Sequence, residues 1–236
     1  MENLELNLDL ETVQSAHNPL HGQLLLPPNT RGLVLLVRIG TSVEFNLGTE
    51  PNPPPPPKTG EETLAAVLQS AGLASLTIDL LTLKESRFVG VRNNVPLHSK
   101  RLLDTLTRIK QQLQNEGLTT LPIGLCGSGP SSPVVVRVAA QRDNDIAAVV
   151  CRGGLIDRAG SLYLHALAAP ILLLVGADDQ TCITSSQRAL QEIFCHKALK
   201  LIAGSDSDFA SPSASAVMAD EAAQWFAQQF PLAQEK

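Results

Sequence analysis

The chain has 236 residues, 44% of them hydrophobic and 17% charged, and a formal net charge of −5. This composition is typical of a globular chain with a buried core, and the length fits a single domain over residues 1–236. The negative charge and the lack of a Lys/Arg cluster exclude nucleic acid as an expected partner. The longest apolar runs are far shorter than the roughly 20 residues of a membrane-spanning helix.

The first residues, MENLELNLDLE, are acidic and lack the layout of a signal peptide, so we expect a cytoplasmic protein. Short β-rich runs then alternate with helical patterns, which predicts an α/β fold: a mostly parallel, doubly wound sheet with helices on both faces. About eight strands are predicted, at residues 4–10, 22–26, 33–38, 73–80, 121–126, 146–151, 170–175 and 198–202. Helices are predicted at residues 61–70, 97–116, 132–141, 185–194 and 213–230.

A proline-rich insertion at residues 48–60 interrupts this alternation, with five consecutive prolines from Pro53 to Pro57. Such a run predicts an extended, exposed polyproline loop. A stiff spacer is the favoured interpretation, and a docking segment for an aromatic-lined groove of a protein partner is the other.

The segment LPIGLCGSGPSS, residues 121–132, lies at a strand-to-helix junction and resembles the nucleophile elbow G-x-S-x-G of α/β-hydrolases. Residues 31–40, 65–82, 147–160, 169–179 and 197–209 are similar to the dienelactone-hydrolase-like branch of that superfamily, in the same order. The resemblance implies an α/β-hydrolase fold and a serine-hydrolase type of site.

The resemblance also implies that the site is degenerate. Gly129 stands at the nucleophile position, and Pro130, which has no N–H, stands where an oxyanion donor is needed. Ser207 occupies the position of the catalytic histidine, and only Asp179 matches its family counterpart, the triad acid. The second oxyanion motif reads Arg38-Ile39-Gly40-Thr41, so a bulky Ile39 replaces a glycine.

A register slip of one residue makes Ser128 an alternative nucleophile, with the Gly129 N–H intact as an oxyanion donor. A serine needs a base, however, and none of the five histidines lies in the expected loop: His17, His21, His98, His165 and His196. Cys126 is a weaker candidate nucleophile, because nothing in its sequence surroundings would activate a thiol at the end of a buried strand.

Four cysteines without a C-x-x-C pair predict buried free thiols in a reducing compartment, namely Cys126, Cys151, Cys182 and Cys195. Four loop carboxylates could converge at the carboxyl edge of the sheet: Asp178, Asp179, Asp206 and Asp208. We expect them to satisfy loop N–H groups or to pair with Arg38 or Arg152, so neither a metal nor a cofactor is expected.

Two hypotheses follow. The first is a pseudoenzyme that binds a small ligand or a protein partner in a crevice lined by Arg38, Gly40, Thr41, Ser128, Gly129, Asp179 and Ser207. In it, Arg38 would grip a carboxylate or phosphate. The second is an ester or lactone hydrolase that uses Ser128 with an unidentified base.

Overall fold

The computed structural model describes the backbone of residues 22–25 and residues 30–40, 60–82, 85, 88–118, 121–142 and 144–230. Its centre is a seven-stranded sheet in the order β1-β3-β2-β4-β5-β6-β7, in which only β1 runs antiparallel to its neighbour. The strands are β1 Gly22–Leu25, β2 Leu33–Arg38, β3 Ala74–Asp79, β4 Ile123–Ser128, β5 Ile146–Arg152, β6 Ile171–Gly176 and β7 Lys197–Ile202.

Seven helices accompany these strands in the described part of the chain: α1 Gly60–Ser70, α2 Val89–Arg92, α3 Val95–Asn115, α4 Ser132–Gln141, α5 Ser161–Ala166, α6 Gln180–Glu192 and α7 Pro212–Gln229. Two 3₁₀ turns, Gly129–Ser131 and Ile156–Ala159, complete the order. None of the helices described is long and apolar enough to cross a bilayer.

The sheet is buried on both faces, because alternate residues of its strands enter two separate cores. Leu35 of β2 belongs to the larger core with Leu106 of α3, and Leu36 belongs to the second core with Leu64 of α1 and Phe226 of α7. Full burial of one such side chain contributes about 1.5–3 kcal/mol. Ser128 lies on the same face of the sheet as the second core, two residues after Cys126.

The predicted fold class is confirmed. Of the predicted strands, the one at residues 4–10 lies outside the described residues, as does the proline-rich segment up to the start of α1 at Gly60. The single-domain organisation stays a prediction.

Helix α6 is the largest error in the predicted boundaries. It begins at Gln180 rather than at residue 185, because Asp179 is its N-cap and accepts a hydrogen bond from Cys182 N–H at 2.9 Å. The predicted start followed the apolar residues of the helix and overlooked this polar first turn. Helices α2 and α5 were not predicted, since each is too short to show a helical period.

Candidate active-site crevice

The junction between β4 and α4 has the conformation of a nucleophile elbow. Ser128 is extended, with φ −122° and ψ 132°, whereas Gly129 has φ +52°. A left-handed residue between strand and helix is the strained position that a hydrolase gives to its nucleophile. A Cβ built on Gly129 would meet no heavy atom within 4 Å, so there is room for a side chain.

Small residues pack tightly around this turn. A Cβ on Gly127 would lie 2.8 Å from Val135, and one on Gly154 would lie 2.1 Å from the Gly129 carbonyl oxygen. Ser131 Oγ accepts a hydrogen bond from Ser128 N–H at 2.7 Å and donates to the Val37 carbonyl at 2.5 Å. These contacts hold the turn between the ends of β2 and β5, although Gly129 at the nucleophile position has no side chain.

Neither oxyanion position has the arrangement typical of a working hydrolase. Pro130 follows Gly129 and is exposed, and it supplies no N–H. Ile39, which replaces a glycine of the family, is only 4% exposed and packs into the larger core rather than into the crevice. Gly40 N–H is also occupied, since it donates to Asp79 Oδ1 at 2.9 Å. Thr41 lies outside the described residues.

Close contacts join the positions of the histidine and the nucleophile. A Cβ on Gly153 would lie 2.6 Å from Ser207 Cβ, and the adjacent Gly154 packs on Gly129. Burial raises the pKa of Asp179, but the hydrogen bond from Cys182 outweighs it and the net pKa is lowered, with a smaller lowering from the proximity of the Ser207 hydroxyl. Gly129, Asp179 and Ser207 thus lie near one another, and none of the described histidines lies with them.

Ser128 points away from this site. Along β4, Cys126 packs into the core beneath α1 and α7, and Ser128 lies two residues further on the same face. Its hydroxyl donates to Glu61 Oε1 at 3.2 Å, and Arg152 Nη2 lies 2.5 Å from the same oxygen. Glu61 is the functional candidate that the sequence analysis missed; its acidic place in the first turn of α1 was the available signal.

The electrostatics of Glu61 favour a permanent carboxylate. Burial raises the pKa of Glu61, but the charge and hydrogen bond of Arg152 and the charge of Arg38 outweigh it, so the pKa is lowered. Arg152 itself is only 5% exposed. A buried guanidinium needs such a counter-charge, and Glu61 supplies it.

The register of the sheet places four polar residues side by side at the carboxyl ends of β3, β2, β4 and β5: Asp79, Arg38, Ser128 and Arg152. Arg38 Nε lies 3.4 Å from Asp79 Oδ2. The expected pairing of Arg38 or Arg152 with the loop aspartates is therefore wrong, because Asp79 and Glu61 are nearer partners. An anion could bind Arg38 only in competition with Asp79.

The described histidines make their contacts elsewhere. His98 is buried with Nε2 2.9 Å from the Val91 carbonyl oxygen, and burial lowers its pKa. His165 stacks on Phe194, and His196 stacks on Trp225 beside the amino end of β7. His17 and His21 lie outside the described residues.

The cysteines fit the prediction of free thiols, with Cys126, Cys151 and Cys182 buried and Cys195 partly exposed. Burial raises the pKa of Cys126 to about 11, which makes it a poor nucleophile.

Two of the loop aspartates accept hydrogen bonds from backbone N–H groups. Asp179 caps α6, and Asp206 Oδ1 accepts a hydrogen bond from Asp208 N–H at 3.1 Å. Within the residues described, no group of three or more His, Cys, Asp or Glu side chains is arranged to hold a metal ion.

Known structures share this architecture. A dienelactone hydrolase from Anabaena variabilis ATCC 29413 superposes with a TM-score of 0.79 and 28% identity, covering 98% of this chain and 99% of that one. Est1E from Butyrivibrio proteoclasticus superposes with a TM-score of 0.66 and 12% identity, covering 89% of this chain and 94% of that one. The esterase domain of a Rhodothermus marinus protein superposes with a TM-score of 0.65 and 15% identity, covering 91% of this chain and 95% of that one. The last two show the fold alone.

Among curated sequences, two Mycobacterium tuberculosis proteins, of strains H37Rv and CDC 1551, are each named "Putative phosphoribosyl transferase". Each is 30% identical over 208 residues, which are 88% of this chain and 43% of that protein. The chain thus spans less than half the length of these relatives. No family model matches. With the sheet order, the elbow and the dienelactone hydrolase superposition in agreement, the chain has the α/β-hydrolase fold in its dienelactone-hydrolase-like form.

Proposed function

We propose that this chain is a catalytically degenerate α/β-hydrolase-fold protein, a pseudoenzyme, whose crevice at the carboxyl ends of the strands binds a small ligand without hydrolysing it. The observation that carries the proposal is the conformation of Gly129. The residue with the strained φ of a nucleophile elbow has no side chain with which to attack a carbonyl.

Two further features support the proposal. Pro130 cannot donate an N–H to an oxyanion, and the loss of one such donor typically lowers the rate about 100- to 1000-fold. Ser207 stands at the histidine position, and a serine hydroxyl does not accept a proton at neutral pH. Attack, oxyanion stabilisation and proton transfer are thus impaired together, while the crevice itself persists as a concave site.

Binding of a protein partner is the other form of this hypothesis. It was suggested by the proline-rich segment at residues 48–60, nearly all of which lies outside the described residues. That role stays a prediction.

A serine ester or lactone hydrolase acting through Ser128 is the second candidate, and the hydrogen bond from Ser128 to Glu61 favours it, since it supplies a carboxylate partner. Two observations weigh against it. Ser128 has ordinary extended backbone on the α1 and α7 face rather than the elbow conformation, and the ion pair with Arg152 makes Glu61 a weak base.

The described residues offer no support for phosphoribosyl transfer, the activity in the names of the mycobacterial relatives. More than half of their length lies outside the match, and the described residues have the fold of hydrolases.

Steady-state hydrolysis of a simple aryl ester tests the proposal. We expect no turnover above the buffer rate, for the wild-type protein and for Ser128→Ala alike. Turnover by the wild type that Ser128→Ala abolishes would establish the second candidate instead.

A further inference from the structure

A polar cleft lies beside the degenerate site, between the 3₁₀ turn after β5 and the first three turns of α6. It is open to solvent and has a volume of about 630 Å³, within the range of small-molecule sites. Among the described residues that line it, Leu155 is the one apolar side chain, and it directly follows Gly154, which packs on Gly129. The other lining residues are Asp157, Arg158, Gln180, Thr181, Thr184, Ser185 and Arg188.

Hydrogen-bond donors outnumber acceptors in this cleft. Among the described lining residues Asp157 is the one carboxylate, and it already accepts a hydrogen bond from Ser185 Oγ at 2.6 Å and lies 3.8 Å from Arg188 Nη1. The side chains of Arg158, Gln180 and Thr181 are exposed to solvent, and none of them has a protein partner within the described part of the chain. The cleft therefore carries one excess positive charge and several donors without acceptors.

We propose that this cleft binds the phosphoryl group of a small, hydroxylated molecule, with Arg158 and Arg188 as its two cationic anchors. Guanidinium groups match the geometry of phosphate oxygens, and each charge-assisted bond is about twice as strong as a neutral one. Donors on two walls suit the three terminal oxygens of a phosphoryl group better than the two oxygens of a carboxylate. Asp157, held by Ser185, lies 3.8 Å from the exposed Arg188 and offsets part of its charge, and no described carboxylate pairs with Arg158.

The inference goes beyond the proposed function, because the cleft shares no lining residue with the crevice at the carboxyl ends of the strands. The cleft could bind a phosphoryl group whether or not the elbow is catalytic. Failure of one proposal is therefore distinguishable from failure of the other, because ester turnover reports on the elbow and phosphate binding reports on the cleft.

Isothermal titration of the full chain with glycerol 3-phosphate, glycerol and glycerate tests the proposal. We expect glycerol 3-phosphate to bind, glycerate to bind more weakly and glycerol not to bind. Arg158→Ala and Arg188→Ala should each weaken binding about ten- to a hundredfold, the effect of losing one charge-assisted hydrogen bond.

Arg142→Ala is the matched control. Arg142 is a partly exposed arginine that lines a different cleft, at the amino ends of β4 and β5. It should leave binding unchanged, and unfolding curves should show that all three variants fold. Absence of glycerol 3-phosphate binding would overturn the proposal, as would equal binding of glycerate or equal weakening by all three variants.

Discussion

Replacing Arg152 by methionine separates a structural role of Glu61 from a catalytic one. The pair is largely buried, with 6% of the Arg152 side chain and 22% of the Glu61 side chain exposed, and the two charged atoms lie 2.5 Å apart. Removing one partner of a fully buried pair costs about 3–5 kcal/mol. Because Glu61 is partly solvated, we expect Arg152→Met to lower the free energy of unfolding by about 2–4 kcal/mol at neutral pH.

The pH dependence of this loss has a definite sign. The folded-state pKa of Glu61 lies below its ordinary value of 4.5, so the pair contributes its full stability above that pH. The contribution is lost as the pH falls through the lowered folded-state pKa. The difference between wild type and Arg152→Met should therefore be large at neutral pH and should shrink in acid.

Urea unfolding at several pH values measures this difference, and Glu61→Gln with the double variant completes a mutant cycle. The single variants should be strongly non-additive, since each breaks the same pair. A loss of unfolding free energy below about 1 kcal/mol is typical of an exposed ion pair, so it would refute the buried-pair reasoning. A loss that does not depend on pH would refute it as well. Arg152→Met should also raise the pKa of Glu61 without producing ester turnover, whereas a catalytic Glu61 would become a better base.

Three further tests concern the elbow. The triple variant Gly129→Ser, Pro130→Thr and Ser207→His should gain weak ester turnover, and the double variant that retains Ser207 should have none. Equal rates for the two variants would show that position 207 does not supply the base. Gly154→Ala should lower the free energy of unfolding by about 3 kcal/mol or more. Gly154 has φ +85°, and the new Cβ would lie 2.1 Å from the Gly129 carbonyl oxygen. Gly72→Ala, also left-handed but with nothing within 4 Å, should cost only about 1–2 kcal/mol, and equal losses in thermal unfolding would contradict this packing. Ser131→Ala should cost about 1–3 kcal/mol by thermal unfolding, since it leaves a buried carbonyl and an N–H unpaired, and an unchanged midpoint would contradict the role of Ser131.

The local features of the site could be predicted from the sequence, and the long-range ones could not. The position of Gly129 at the elbow follows from a short motif, since strand, turn and helix are contiguous there. The bond between Glu61 and Arg152 joins residues 91 positions apart and depends on how α1 packs against β3 and α7. The orientation of Ser128 was not apparent from the motif either, because it depends on which core Cys126 enters.

The partner of Arg38 was also misjudged for a topological reason. The sequence suggested loop aspartates at the carboxyl edge, but β3 lies next to β2 in the sheet and places Asp79 beside Arg38. The order of helices and strands along a chain does not tell which parallel strands are neighbours in the sheet, so contacts of this kind are the hardest to predict.

Covalent labelling with a fluorophosphonate probe, followed by intact mass measurement, shows whether the chain has a nucleophilic serine. We expect an unmodified mass for the wild-type protein, because Gly129 has no side chain and Ser128 lies on the α1 side of the sheet. A probe adduct on the wild-type protein that maps to Ser128 and is absent from Ser128→Ala would contradict it.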